Sequence, residues 1–279
     1  MIRHIIATVV LASLLPVLAA AQTPPPAAAQ PVADPDLRLD PLQPDFTLAA
    51  LPTTLRVPRG KFAFRITHRF TRPLGRGDFS DLLSDAFGFD GGAQIGLELR
   101  YGLASGTQIG VHRTSDQSIQ FFGQHNFFSE GSGSPVGLDG LVTAEGIDNF
   151  HDHYRSAMGA VVSRTTGSFG AVYAQPMWVA NASPFDTGDN STLLLGLGGR
   201  IRVRPSVYVL AEVTPRLAGF DPGAHQISFG VEKRAGGHLF QINFSNGFAT
   251  TFGQLATGAR DYDDWYIGFN ISRKFFRGR

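Results

Sequence analysis

The sequence predicts an all-β fold, an up-and-down antiparallel transmembrane β-barrel of about twelve strands preceded by a Pro-rich N-terminal leader. Three observations carry this expectation. Apolar and polar residues alternate with a period of two through segment after segment, the connections between those segments alternate between long and short, and the charged residues keep mostly to one parity of each strand. The last strand shows the pattern most plainly: Trp265, Ile267, Phe269 and Ile271 fall on one face, while Tyr266, Gly268, Asn270, Ser272 and Lys274 fall on the other.

The elements are justified in chain order. Residues 1–21 carry Arg3 and His4, an apolar run from Ile5 to Leu18 and a small-residue Ala19-Ala20-Ala21 close, the three regions of a secretory signal peptide. Residues 22–50 are rich in Pro and Ala, a composition that favours extended polyproline-like chain and reads as a periplasmic leader. Residues 51–279 form the barrel domain. No later stretch reaches the roughly 18 apolar residues of a transmembrane helix, so a membrane crossing has to be made by strands.

Clear alternation runs through Lys61 to Phe70, Ala93 to Tyr101, Thr107 to Arg113, Ser118 to Asn126, Thr192 to Val203, Ser206 to Val213, Gln226 to Lys233 and His238 to Ser245. Weaker versions lie at Pro135 to Glu145, Arg155 to Ser163 and Ser168 to Gln175. With Trp265 to Phe275 the total is about twelve, an even number that keeps both termini on one side. Candidate inner turns near 102–106, 164–167, 204–205 and 234–237 are short, and candidate outer loops at 71–92, 177–191, 215–224 and 246–263 are long. Two connections depart from the rule: 113–117 is short for an outer loop and 127–134 long for an inner turn.

Charge placement separates this pattern from a soluble sandwich. An Arg or Lys facing lipid at the midplane costs about 2–4 kcal/mol, which explains why one parity is nearly free of charge. The other parity supplies the lumen-lining candidates Arg65, Arg69, Glu98, Arg100, Arg200, Arg202, Glu212, Glu232 and Lys274. Trp265 and Phe275, ten residues apart, are expected at the two membrane interfaces. The location expected is the cell outer membrane, with its lipids as the surrounding partner.

Three blocks carry a resemblance beyond alternation. They are GKFAFRITHRF at Gly60 to Phe70, FGFDGGAQIGLELRYGL with IGVHRTSDQSIQFFGQHN between Phe87 and Asn126, and HLFQINFSNG with the closing IGFNISRKF. In these the chain resembles the domain-of-unknown-function 5777 family of bacterial β-barrel proteins from about Leu51 onward. The resemblance implies a membrane barrel and brings no activity or functional residues with it.

Composition excludes several functions. A formal net charge of +1 without a concentrated basic surface argues against nucleic acid, and the absence of Cys excludes disulfides, thiolate metal sites and cysteine nucleophiles. No enzyme activity is expected. Ser245 invites comparison with outer-membrane lipid hydrolases, but Asn243 occupies the slot where such a strand needs its His base, and His238 lies on the opposite parity. Asp148, His151, Asp152 and His153 offer imidazoles and carboxylates for a divalent ion, yet a solvated loop is the simpler reading, and no metal or cofactor is expected. LGLGGR at Leu195 to Arg200 precedes no helix and fails as a dinucleotide loop. Arg200, Arg202 and Arg204 form a basic ladder that either attracts anions in an open pore or pairs with Glu212 and Glu232 in a filled one. The function expected is therefore a passive channel for small solutes, with a closed barrel that binds another envelope protein as the alternative.

Overall fold

A computed structural model describes residues 42–184 and 190–276. The expected signal peptide at 1–21, most of the expected leader at 22–50 and the terminal Arg277-Gly278-Arg279 lie outside the described residues. Thirteen strands form one sheet: β1 (Phe62–Phe70), β2 (Ala93–Ala104), β3 (Thr107–Thr114), β4 (Ile119–Phe128), β5 (Gly137–Ile147), β6 (Asp152–Thr166), β7 (Gly170–Ala180), β8 (Thr192–Arg204), β9 (Val207–Thr214), β10 (Arg216–Gly219), β11 (Gln226–Ala235), β12 (His238–Ser245) and β13 (Tyr266–Lys274). Apart from β10, which pairs with β8, strands pair antiparallel with their neighbours in sequence, β9 pairs with β8 and β11, and β13 pairs with both β12 and β1, so the sheet closes on itself.

The ring holds twelve strands, and β10 is the extra one. It continues β9 along β8 after an interruption at Pro215, which has no N–H to give the ladder. The Pro215 carbonyl still accepts from Leu195 N at 2.9 Å, so the wall is not breached.

Parity works as the sequence reading requires. On β1, Ala63, Arg65, Thr67 and Arg69 are buried in the interior while Phe62 faces outward and is exposed. Outward positions elsewhere carry exposed Leu97, Phe121, Val142, Ile201, Val231 and Ile242. Both ends of the described chain share one rim, here the terminal end, with the short turns after β2, β6, β8 and β11 and the longer 129–136 connection. The opposite rim, the loop end, carries the other long connections together with the short ones at 115–118 and 148–151; 115–118 and 129–136 are the two departures noted in the sequence.

Two segments fill the barrel, and neither is a strand of the wall. Residues 45–57 enter from the terminal end and fold back as a hairpin, with Thr47 bridged to Pro52 and Leu48 N donating to Leu51 O at 2.7 Å. The stretch 45–50, grouped with the leader on composition, thus runs inside the barrel with 51–57. From the loop end, the β12–β13 connection dips inward and forms α2 (Phe252–Thr257), closed by a capping box between Thr251 and Gln254. Phe252, Leu255 and Ala256 of α2 share one apolar cluster with Leu48, Ala49, Ala50 and Leu51 of the hairpin tip, so the two segments meet inside the lumen. A second helix, α1 (Phe79–Ser84), lies in the first long loop.

Candidate functional site

The site is the lumen itself, built by lumen-facing side chains around the hairpin. A backbone inside a protein must find partners for its N–H and C=O groups, and here the wall provides them. Ala49 N donates to Glu212 Oε2 at 3.0 Å, Ala50 N to both Glu212 oxygens at 3.0 and 3.1 Å, and Leu51 N to Oε2 at 3.1 Å. Three successive amides thus converge on one buried carboxylate, the concave anion-binding arrangement of a tight turn. Carbonyls of the hairpin accept in turn: Ala49 O from Asn270 at 3.0 Å and Arg69 at 3.3 Å, Leu48 O from Gln241 at 3.2 Å, Thr47 O from Arg200 at 2.7 Å, and Thr53 O from Gln124 at 2.8 Å. Toward the terminal end Val57 N donates to Gln108 at 3.1 Å, Ser272 donates to Asp45 at 2.6 Å, and Lys274 reaches Pro44 O.

Glycines make the room. Gly196 and Gly198 of β8 face the lumen, and a Cβ on Gly196 would stand 2.8 Å from Leu51, while one on Gly198 would collide with Leu48. The LGLGGR stretch is therefore a seat for the hairpin tip.

The remaining lumen charges pair among themselves. Arg200 grips Glu232 with two parallel bonds, Nε to Oε2 at 2.6 Å and Nη2 to Oε1 at 2.8 Å, and Gln241 donates to the same carboxylate at 2.8 Å. Glu98 sits beside Arg100, with Arg65 at 3.5 Å and His112 at 3.8 Å. Arg100 also lies over the rings of Phe122 and Phe46, 4.7 and 5.4 Å from their centroids. Near the loop end Arg155 pairs with Glu145 at 3.3 Å, and Glu145 accepts from Gly253 N of α2 at 3.1 Å.

The candidates read from the sequence can now be located. Arg65, Arg69, Glu98, Arg100, Arg200, Glu212, Glu232 and Lys274 are all buried in the interior, and Arg202 is half-buried. Of the two uses of the basic ladder, the structure has the ion pair at Arg200, whereas Arg204 is exposed at the terminal rim. Trp265 is half-buried at the loop end of β13 against Phe229, and Phe275 is exposed just past its terminal end. Ser245 accepts from Ser228 at 3.1 Å and from Gly247 N at 3.2 Å, and His238 is at the far end of the same strand. In the 148–153 stretch His151 Nδ1 is 2.9 Å from Asp148 O, and among the described residues no three His, Asp or Glu side chains converge as a metal ion requires.

Sequence reasoning missed Asp139, Glu145 and Arg155, which sit on strands whose alternation is weak, and it missed the hairpin and α2 altogether. The signal for the hairpin was an apolar stretch, Leu48-Ala49-Ala50-Leu51, at the junction of leader and barrel domain.

A family of membrane-bound β-barrel domains, domain of unknown function 5777, matches residues 45–275. The chain belongs to that family. The match begins at Asp45, the residue where the hairpin begins, so family membership includes the lumen segment as well as the wall. No curated protein matches the chain. Among solved structures, the Acinetobacter baumannii outer membrane protein Omp33 is 11% identical over 79% of this chain and 100% of that one, with a TM-score of 0.42. A triple mutant of the Rhodopseudomonas blastica porin is 15% identical over 71% of this chain, with a TM-score of 0.35. The chain spans 58% of that porin's length.

Proposed function

We propose that this family member is an integral outer-membrane barrel with a closed resting lumen, working as a structural or partner-binding barrel and not as a standing channel. The observation that carries the reading is the hairpin tip held by Glu212 through three backbone amides, with α2 packed against it from the other side. Together they occupy the lumen through which a passive pore needs a continuous aqueous path. The outer membrane is the compartment proposed because a closed barrel with both described chain ends at one rim is how strands cross that membrane after export. Its lipids are the surrounding partner, and an envelope protein engaging the loops or the N-terminal segment is the other. No catalytic role is assigned.

One feature favours a second reading, a solute channel opened by withdrawal of the hairpin. The contacts that hold it are mostly hydrogen bonds from wall side chains to its backbone, and these are exchangeable for water. Withdrawal exposes a wall on which Arg65, Arg69, Arg100 and Arg200 face Glu98, Glu212 and Glu232, an excess of positive charge that favours anions. The test is planar-bilayer recording of the full chain beside a form lacking residues 45–57. The expected result is a silent full chain and a conducting deletion whose reversal potential in a salt gradient shows anion preference. Steady conductance by the full chain would overturn the closed-lumen reading.

A further inference from the structure

We propose that the first long loop, residues 71–92, is a membrane-seated tab whose apolar side chains lie among the lipid acyl chains of the leaflet at the loop end. Its helix α1 buries no residue: Phe79 is 70% and Leu83 60% exposed, and Phe89 just beyond is 65% exposed. Phe79 and Leu83, four residues apart, share one face. The N-terminus of the helix is closed within the loop, where Asp78 and Asp81 exchange bonds of 3.0 Å in a capping box.

The position of the loop decides what covers that face. Phe89 packs on Phe70 with ring centroids 4.5 Å apart, and Phe70 stands on the outward, lipid-facing parity of β1. Beside it His68 stacks on Phe269 of β13, centroids 4.7 Å apart. Leu74 N donates to the backbone carbonyl of Trp265 at 2.7 Å, which ties the loop to the loop end of β13. Phe89 therefore carries its end of the loop onto the outside wall. Below Phe89 an apolar groove of about 520 Å³ runs down the wall between Phe70, Phe240, Ile242, Phe269 and Ile271. This groove is continuous with the lipid-facing band, so acyl chains already bathe it, and the exposed face of the tab extends the same surface. The polar side, where Arg72 pairs with Asp85, is left for the headgroup layer.

The chain has no Cys, so a single introduced thiol is a unique reporter site. Full-length Phe79→Cys, Leu83→Cys and Ser84→Cys variants, each labelled with an environment-sensitive fluorophore, are reconstituted in phosphatidylcholine vesicles with and without doxyl-labelled lipid. Retained heat-modifiable migration in detergent gels confirms a folded barrel at these exposed sites. The expected result is several-fold stronger quenching by doxyl lipid at positions 79 and 83 than at 84, and stronger quenching by aqueous iodide at 84. Equal iodide access at all three positions overturns the proposal. So does shielding of 79 and 83 from iodide without lipid quenching, which would mark contact with another protein.

Discussion

Replacing Glu212 by Gln tests whether the hairpin is latched where the geometry indicates. The carboxylate takes bonds from the amides of Ala49, Ala50 and Leu51, and Arg69 adds an electrostatic attraction. Hydrogen bonds to a charged group contribute roughly 1.5–3 kcal/mol each. The glutamine keeps one acceptor oxygen but turns an amino group toward the same donors, so the loss is on the order of 2–4 kcal/mol, less than the sum because the three bonds are not independent. At 1.4 kcal/mol per tenfold, the fraction of barrels with the hairpin displaced rises roughly 30- to 700-fold. The assay is the frequency of conducting openings of the full-length variant in a planar bilayer, with heat-modifiable migration confirming an intact wall. If Glu212→Gln is as silent as the natural chain while the 45–57 deletion conducts, Glu212 is not the latch and the reasoning fails.

Three further outcomes are expected. Arg200→Met leaves Glu232 buried without its cation and lowers stability by about 3–5 kcal/mol in denaturant titration, whereas Arg200→Met combined with Glu232→Leu recovers most of the loss. Val142→Arg places a cation on the lipid face and costs about 2–4 kcal/mol of folding into bilayers, an effect that vanishes at a loop position such as Ser84. Gly198→Leu takes the space of Leu48 and strips amide-exchange protection from residues 47–53 while the β-strand amides stay protected; unchanged protection at the tip would show that Gly198 makes no room for it.

The wall was legible because lipid punishes misplaced charge. Arg65, Glu98 and Glu232 had to share a parity, and Phe62 and Ile242 had to take the other, whatever the register between strands. Which of the two acids named from the sequence, Glu212 or Glu232, pairs with Arg200 was not legible. It depends on Glu232 lying two strands away, Arg200 opposite Leu210 on β9 and Glu232 opposite Tyr208, and no local pattern states that register. The hairpin escaped for a different reason: its anchoring partners are backbone amides and carbonyls, which every residue carries, so Ala49 and Ala50 look the same in a plug as in a spacer. LGLGGR fails as a dinucleotide loop on sequence alone, and what its glycines make room for is visible only with Leu48 and Leu51 in place.

The hairpin also bears on how the ring is assembled. Its contacts reach β1 through Arg65 and Arg69, β3 through Gln108, β4 through Gln124, β6 through Ser163, β7 through Gln175, β8 through Arg200, β9 through Glu212, β12 through Gln241 and β13 through Ser272 and Asn270. No open sheet can present all of these at once. The segment behaves as a mandrel: its full set of bonds exists only when β13 has met β1, so docking of the earliest part of the barrel domain and sealing of the last seam are one cooperative event.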